Sequence, residues 1–216
     1  MDYGEDVYSG RDAFGLLGST SFAIKGLTQA QIIEALDIAD VHYYPFLIAN
    51  VEYSDFCMDF MPSQEDKAKT ETRCLFSQPI EDWIYMYWSW GAFEHEMEVI
   101  EKLNEAGAKC ANAYYVDGHV ASSSWILSKD GAIYRAFYQS HHQVLFNQGD
   151  LVTQKETELL QYLRAPDSNE FVFDEEVLTS IEKVSGKHSN RVRQNAQLIE
   201  EMDFSLGTIW LDLDEV

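Results

Sequence analysis

The chain has 216 residues, with 37 Asp and Glu against 15 Lys and Arg for a formal charge of −22, yet 46 % of it is hydrophobic. The 12 Phe, 12 Tyr and 5 Trp supply enough buried area for a packed interior, which excludes global disorder. A field of this sign repels phosphates, so nucleic acid and anionic membrane surfaces are excluded as partners and a basic protein surface is favoured.

Residues 1–18 carry Gly4, Gly10, Gly15 and Gly18 among charged residues and read as a loose lead-in. They lack the basic start and apolar run of a secretory signal, and the expected location is cytoplasmic. Residues 19–216 read as one domain. Within it, residues 21–25 form a short strand closed by Gly26, and Thr28 with Gln31 fits a capping box for a helix carrying Ile32, Ile33 and Leu36. Residues 43–60 mix β-branched and aromatic side chains, predicting one or two strands, with Pro45 placing the first at an edge. Residues 62–72 are polar and charged, a solvated loop or short helix.

Residues 83–90 are almost continuously apolar and aromatic, as a central strand covered on both faces requires. Alternation sends Trp83, Tyr85 and Tyr87 one way and Trp88 and Trp90 the other. Residues 92–106 are helical: Phe93, Met97, Ile100 and Leu103 recur on one side, Glu94, Glu98, Glu101 and Glu105 on another, and Gly107 stops the helix. A meander follows over 110–116, 119–127 and 132–138, turned by Asp117-Gly118 and Asp130-Gly131. Helices are predicted over 154–163 and 174–184, the second with Asp174 as N-cap and Glu175 and Glu176 in its first turn. A third covers 189–202, and residues 208–213 form a closing strand or docked tail. The predicted class is α+β, a mostly antiparallel sheet with helices packed against it.

Catalytic signatures are missing from this pattern. In the cluster of Glu94, His95 and Glu96 the histidine points away from the acidic stripe, and no His-Glu-x-x-His spacing occurs. His141 and His142 follow a predicted strand as adjacent residues, so they face opposite ways and do not share a metal. Ser122, Ser123 and Ser124 lack the glycines of a nucleophile elbow, and neither a Gly-x-x-x-x-Gly-Lys nor a Gly-x-Gly-x-x-Gly loop is present. Cys57, Cys74 and Cys110 are an odd number at wide spacing and read as buried thiols rather than a disulfide framework or zinc ribbon. No stretch is long enough to cross a bilayer. No enzyme activity, metal or cofactor is expected.

Three stretches in order carry a resemblance: Phe22-Ala-Ile-Lys-Gly-Leu-Thr28 leading into a helix, Trp83 followed by a helix and strand, and Trp125 with Asp130-Gly-Ala-Ile-Tyr-Arg-Ala-Phe137. Together they resemble a diverse group of small bacterial proteins that includes immunity proteins of polymorphic and contact-dependent toxins. The resemblance spans about residues 20–185, and its motifs mark turns and core tryptophans rather than functional residues. It implies an inhibitor that binds and neutralises a cognate toxin directly. The acids expected to meet a basic partner are Glu94, Glu98, Glu101, Glu105, Asp174, Glu175 and Glu176. The alternatives are an enzyme whose site joins His95, His119 or His142 to a distant carboxylate, and a structural assembly subunit. A DNA mimic is disfavoured, because basic residues interleave the acids.

Overall fold

Strand-length runs of alternating side chains demand edges to pair with, and the protein satisfies them in one sheet. The computed structural model describes residues 19–45, 69–89, 92–117, 121–164, 174–186 and 203–212. Its elements are β1 (Ser19–Lys25), α1 (Gln29–Ala35), β2 (Ala39–Pro45), β3 (Lys69–Phe76), β4 (Trp83–Ser89), α2 (Phe93–Glu105), β5 (Cys110–Asp117), β6 (Ser122–Lys129), β7 (Ala132–Ser140), β8 (Gln143–Gly149), α3 (Gln154–Arg164), α4 (Asp174–Ser185) and β9 (Asp203–Asp212). The strands pair in the order β2-β9-β3-β4-β1-β5-β6-β7-β8, every pairing antiparallel. The fold is α+β, as the pattern predicts.

Strand alternation divides the core into two layers, one on each side of the sheet. Phe22, Ile24, Ile84, Met86, Trp88, Ala111, Ala113 and Ile126 point to the face covered by α1 and α2, where Ile32, Val99, Ile100 and Leu103 meet them. Ala23, Trp83, Tyr85, Tyr87, Tyr114, Trp125, Leu127 and Phe137 point to the face covered by α3 and α4 through Leu159, Leu160, Val177 and Ile181. The opposed facing of Trp83 and Trp88 predicted from alternation is observed, and both are core; Trp90 lies outside the described residues. Stacked Trp125 and Phe137, ring centroids 4.3 Å apart, join neighbouring strands on the second face.

Local chemistry sets the turns. Thr28 Oγ1 accepts the Gln31 N–H at 3.3 Å while Gln31 Oε1 accepts the Thr28 N–H at 2.9 Å, the predicted capping box. Asp130 and Gly131, at φ 50° and 83°, form a two-residue turn between β6 and β7. Gly149 has φ 84° and lies so close to the Tyr134 carbonyl that an added Cβ would sit 2.0 Å from its oxygen, so no other residue fits.

The structure departs from the sequence expectations in four places. Residues 69–72 are the start of β3 rather than loop, because their backbone pairs with β9. The meander has a fourth strand, β8, which was not predicted. His141 and His142 are therefore the turn between β7 and β8, at φ 50° and 62°, rather than a strand continuation. Finally, the closing strand expected over 208–213 is β9, which begins earlier, at Asp203, and pairs between β2 and β3. β2 is the opposite edge strand and ends at Pro45, as its proline requires. The predicted lead-in of residues 1–18, the rest of the 43–60 segment, the 189–202 helix, Cys57 and His119 lie outside the described residues.

Candidate functional site

The amphipathic period of α2 sends its apolar side chains into the sheet and leaves Glu94, Glu98, Glu101 and Glu105 exposed along one solvent-facing row. Spacings of four, three and four residues keep the row on one side and extend it over about 16 Å. Lys102 supplies a local counter-charge, its Nζ 2.5 Å from Glu98 Oε1. Glu94 and Glu96 in the first turn also match the positive end of the helix dipole. His95 is buried beneath the row, its Nδ1 accepting the Ala92 N–H at 3.4 Å.

The second group of predicted contacts is elsewhere. Asp174, Glu175 and Glu176 begin α4, which packs on the opposite face of the sheet from α2. Glu176 is exposed and its Oε2 lies 3.4 Å from Lys155 Nζ on α3, an ammonium that also lies 3.2 Å from Glu158. The side chains of Asp174 and Glu175 are not among those described. The seven acids thus form two separate regions, and one flat partner surface covers the α2 row without the α4 start.

Beneath the α2 row lies a group that sequence reasoning placed with the solvated acids. Glu96 is 2 % exposed; Thr20 Oγ1 of β1 donates to its Oε1 at 2.5 Å, and Ser124 Oγ of β6 donates to its Oε2 at 2.9 Å. Burial pushes its carboxyl up to about 7, against the opposing effect of the two hydroxyls, and the nearby Glu94 charge raises it further. Tyr115, half-buried on β5, is pushed up to about 12, first by burial and then by the Asp117 and Glu96 charges. The consecutive serines of β6 are all interior: Ser122 donates to the Gln139 carbonyl, Ser123 accepts from Gln139 Nε2, and Ser124 serves Glu96.

The second face holds a buried ion pair. Arg135 Nε donates to Glu156 Oε1 at 2.6 Å, and the Trp125 indole N–H donates to the same oxygen at 2.8 Å. Arg135 Nη2 is also 2.6 Å from that oxygen, although off the line of a good hydrogen bond. Arg135 Nη1 reaches Asn147 Oδ1 and the Gln148 carbonyl on β8, and the Val152 N–H donates to Glu156 Oε2. These bonds assign both charges a structural role.

Cys74 is buried and Cys110 half-buried, neither is joined in a disulfide to another described residue, and burial raises the Cys110 thiol. His141 and His142 are exposed in their turn, with the His142 ring 6.1 Å from Tyr162. Among the described residues no group of three or more His, Cys, Asp or Glu is arranged to hold a metal ion, and no helix is long and apolar enough to cross a membrane. A groove of about 670 Å³ runs beside the β1–α1 turn, lined by Lys25, Leu27, Thr28, Ile33, Asp82 and Lys109. Comparison with known proteins finds no family model, no curated protein and no solved structure that matches the chain.

Proposed function

We propose that this protein is an immunity-type inhibitor that binds a basic toxin domain through the exposed face of α2 and blocks its action. The observation that carries the reading is the row of Glu94, Glu98, Glu101 and Glu105, presented on a packed helix of a chain with net charge −22. Helix and sheet fix the backbone from which these carboxylates project, so ordering of the main chain adds little to the entropy opposing their engagement with a cationic surface. Long-range attraction would speed encounter and select against acidic partners. The motif order around Phe22–Thr28, Trp83 and Asp130–Phe137 supports the same reading by resemblance.

Co-expression tests it. Cells producing the toxin of a neighbouring gene, one with a basic terminal domain, are expected to survive with the wild-type chain. They are expected to die with the variant E94K/E98K/E101K/E105K, while E98Q/E101Q/E105Q, which keeps Glu94 at the positive end of the helix and a melting temperature near that of wild type, is expected to protect them only partly. Rescue by the lysine variant equal to wild type would remove α2 from the interface.

A further inference from the structure

Where β1 ends, α1 begins and the β3–β4 connection turns, the groove of about 670 Å³ opens at one end of the sheet. That volume accommodates a small molecule. Hydrogen bonds fix its walls. Gln29 Nε2 of α1 donates to the Ser77 carbonyl at 2.8 Å and ties the helix wall to the loop wall. Within that loop the Ile80 and Trp83 backbones exchange hydrogen bonds of 2.8 and 3.0 Å around Glu81 and Asp82. Lys109 forms the remaining wall: its N–H donates to the Lys25 carbonyl at 2.8 Å, and its stem lies across Gly26. Gly26 has φ 94°, and an added Cβ there would come within 2.8 Å of Lys109 Cγ, so the bare glycine is what seats the lysine.

The groove brings two cations together in a chain of net charge −22. Lys25 Nζ lies 3.9 Å from Asp82, whose side chain is 84 % exposed, which makes the contact a weak one. Lys109 is exposed and forms no ion pair with a carboxylate among the described residues, although the chain holds 37 acids. The neighbouring β6–β7 turn adds one charge of each sign, Lys129 and Asp130, both acting on the Cys110 thiol. Two ammoniums against the single carboxylate of Asp82 leave the lining with one positive charge, and acids more than about 8 Å away are screened at physiological ionic strength. A monoanion neutralises that charge; a phosphate dianion overshoots it. Leu27, Ala30, Ile33 and Pro79 make the rest of the lining largely apolar.

We propose that this groove binds a small amphipathic carboxylate, its anionic end held by the Lys25 and Lys109 ammoniums and its hydrocarbon part lying on Leu27, Ile33 and Pro79. The site is separate from the acidic row of α2 and does not depend on it.

Titration of the isotope-labelled full chain with octanoate, followed through its amide NMR signals, tests this. Saturable shifts are expected at residues 25–30, 78–82 and Lys109. Octanamide, of the same shape without the charge, is expected to bind about tenfold more weakly or worse, and inorganic phosphate, without the hydrocarbon, to give no saturation. K109Q, at an exposed position, is expected to weaken octanoate binding about tenfold and leave the melting temperature unchanged. A30W, which fills the groove from the exposed start of α1, is expected to abolish it. Absence of saturable shifts at these residues would overturn the proposal. So would octanamide or phosphate binding as tightly as octanoate, or octanoate binding unchanged in K109Q or in A30W.

Discussion

Glu96 shows how a single side chain writes a pH dependence into the fold. Its carboxyl is raised from 4.5 to about 7, chiefly by burial, and it faces Thr20 from β1, Ser124 from β6, Tyr115 from β5 and Glu94 on its own helix. None of these is a cation. Between pH 4.5 and 7 the folded protein holds a proton that the unfolded chain releases, so this group stabilises the fold below that window and stability falls as pH rises through it. The full difference is about 3 kcal/mol, and the curve from this group flattens above pH 7. Glu96→Gln removes the linkage: the variant is expected to match wild type near pH 4 and to exceed it by up to about 3 kcal/mol at pH 8 in urea unfolding. A difference between the two proteins that stays constant with pH would contradict this assignment. In the sequence Glu96 sits among exposed acids, and its burial was not legible there, because its two donors lie 76 and 28 residues away.

At the scale of elements, the interior charges tie helix to strand. Glu156 on α3 and Arg135 on β7 are both fully buried, with Trp125 of β6 bonded to the same carboxylate oxygen. Removing one partner leaves the other charge desolvated, so Glu156→Gln is expected to lower stability by roughly 3–5 kcal/mol. The apolar double variant R135M/E156L is expected to lose less than the sum of its single changes, since neither charge is then stranded. Additive losses in denaturant unfolding would show that the pair does not anchor α3. Helix α2 was legible because its apolar and acidic residues repeat at helical spacing over three turns, and β4 because its run is apolar on both faces. β8 was hidden for the opposite reason: it is short, nearly all exposed, and entered through a His-His turn instead of Asn-Gly or Asp-Gly. β9 finds its neighbours β2 and β3 by pairings that span more than 125 residues, for which no local pattern exists.

At the scale of the molecule, the described strands form a nine-stranded sheet covered on both faces, and among the described residues its two layers bury Trp83, Tyr85, Trp88, Tyr114, Trp125 and Phe137 while the acids of the α2 row face solvent. The α+β class followed from strand and helix counts and from the two Asp-Gly signals. The distribution of acids between the α2 face and the start of α4 did not, since it depends on which face of the sheet each helix covers. Capture of a basic partner by clustered carboxylates weakens as added salt screens the attraction. The most direct test of the central claim is therefore the dissociation constant for a basic toxin domain encoded beside this chain, measured by titration calorimetry across a salt series. The claim predicts affinity that falls steadily as salt rises and a weaker dependence in the E94K/E98K/E101K/E105K variant. Affinity indifferent to salt, or strengthened by it, would contradict an interface built on the carboxylates of α2.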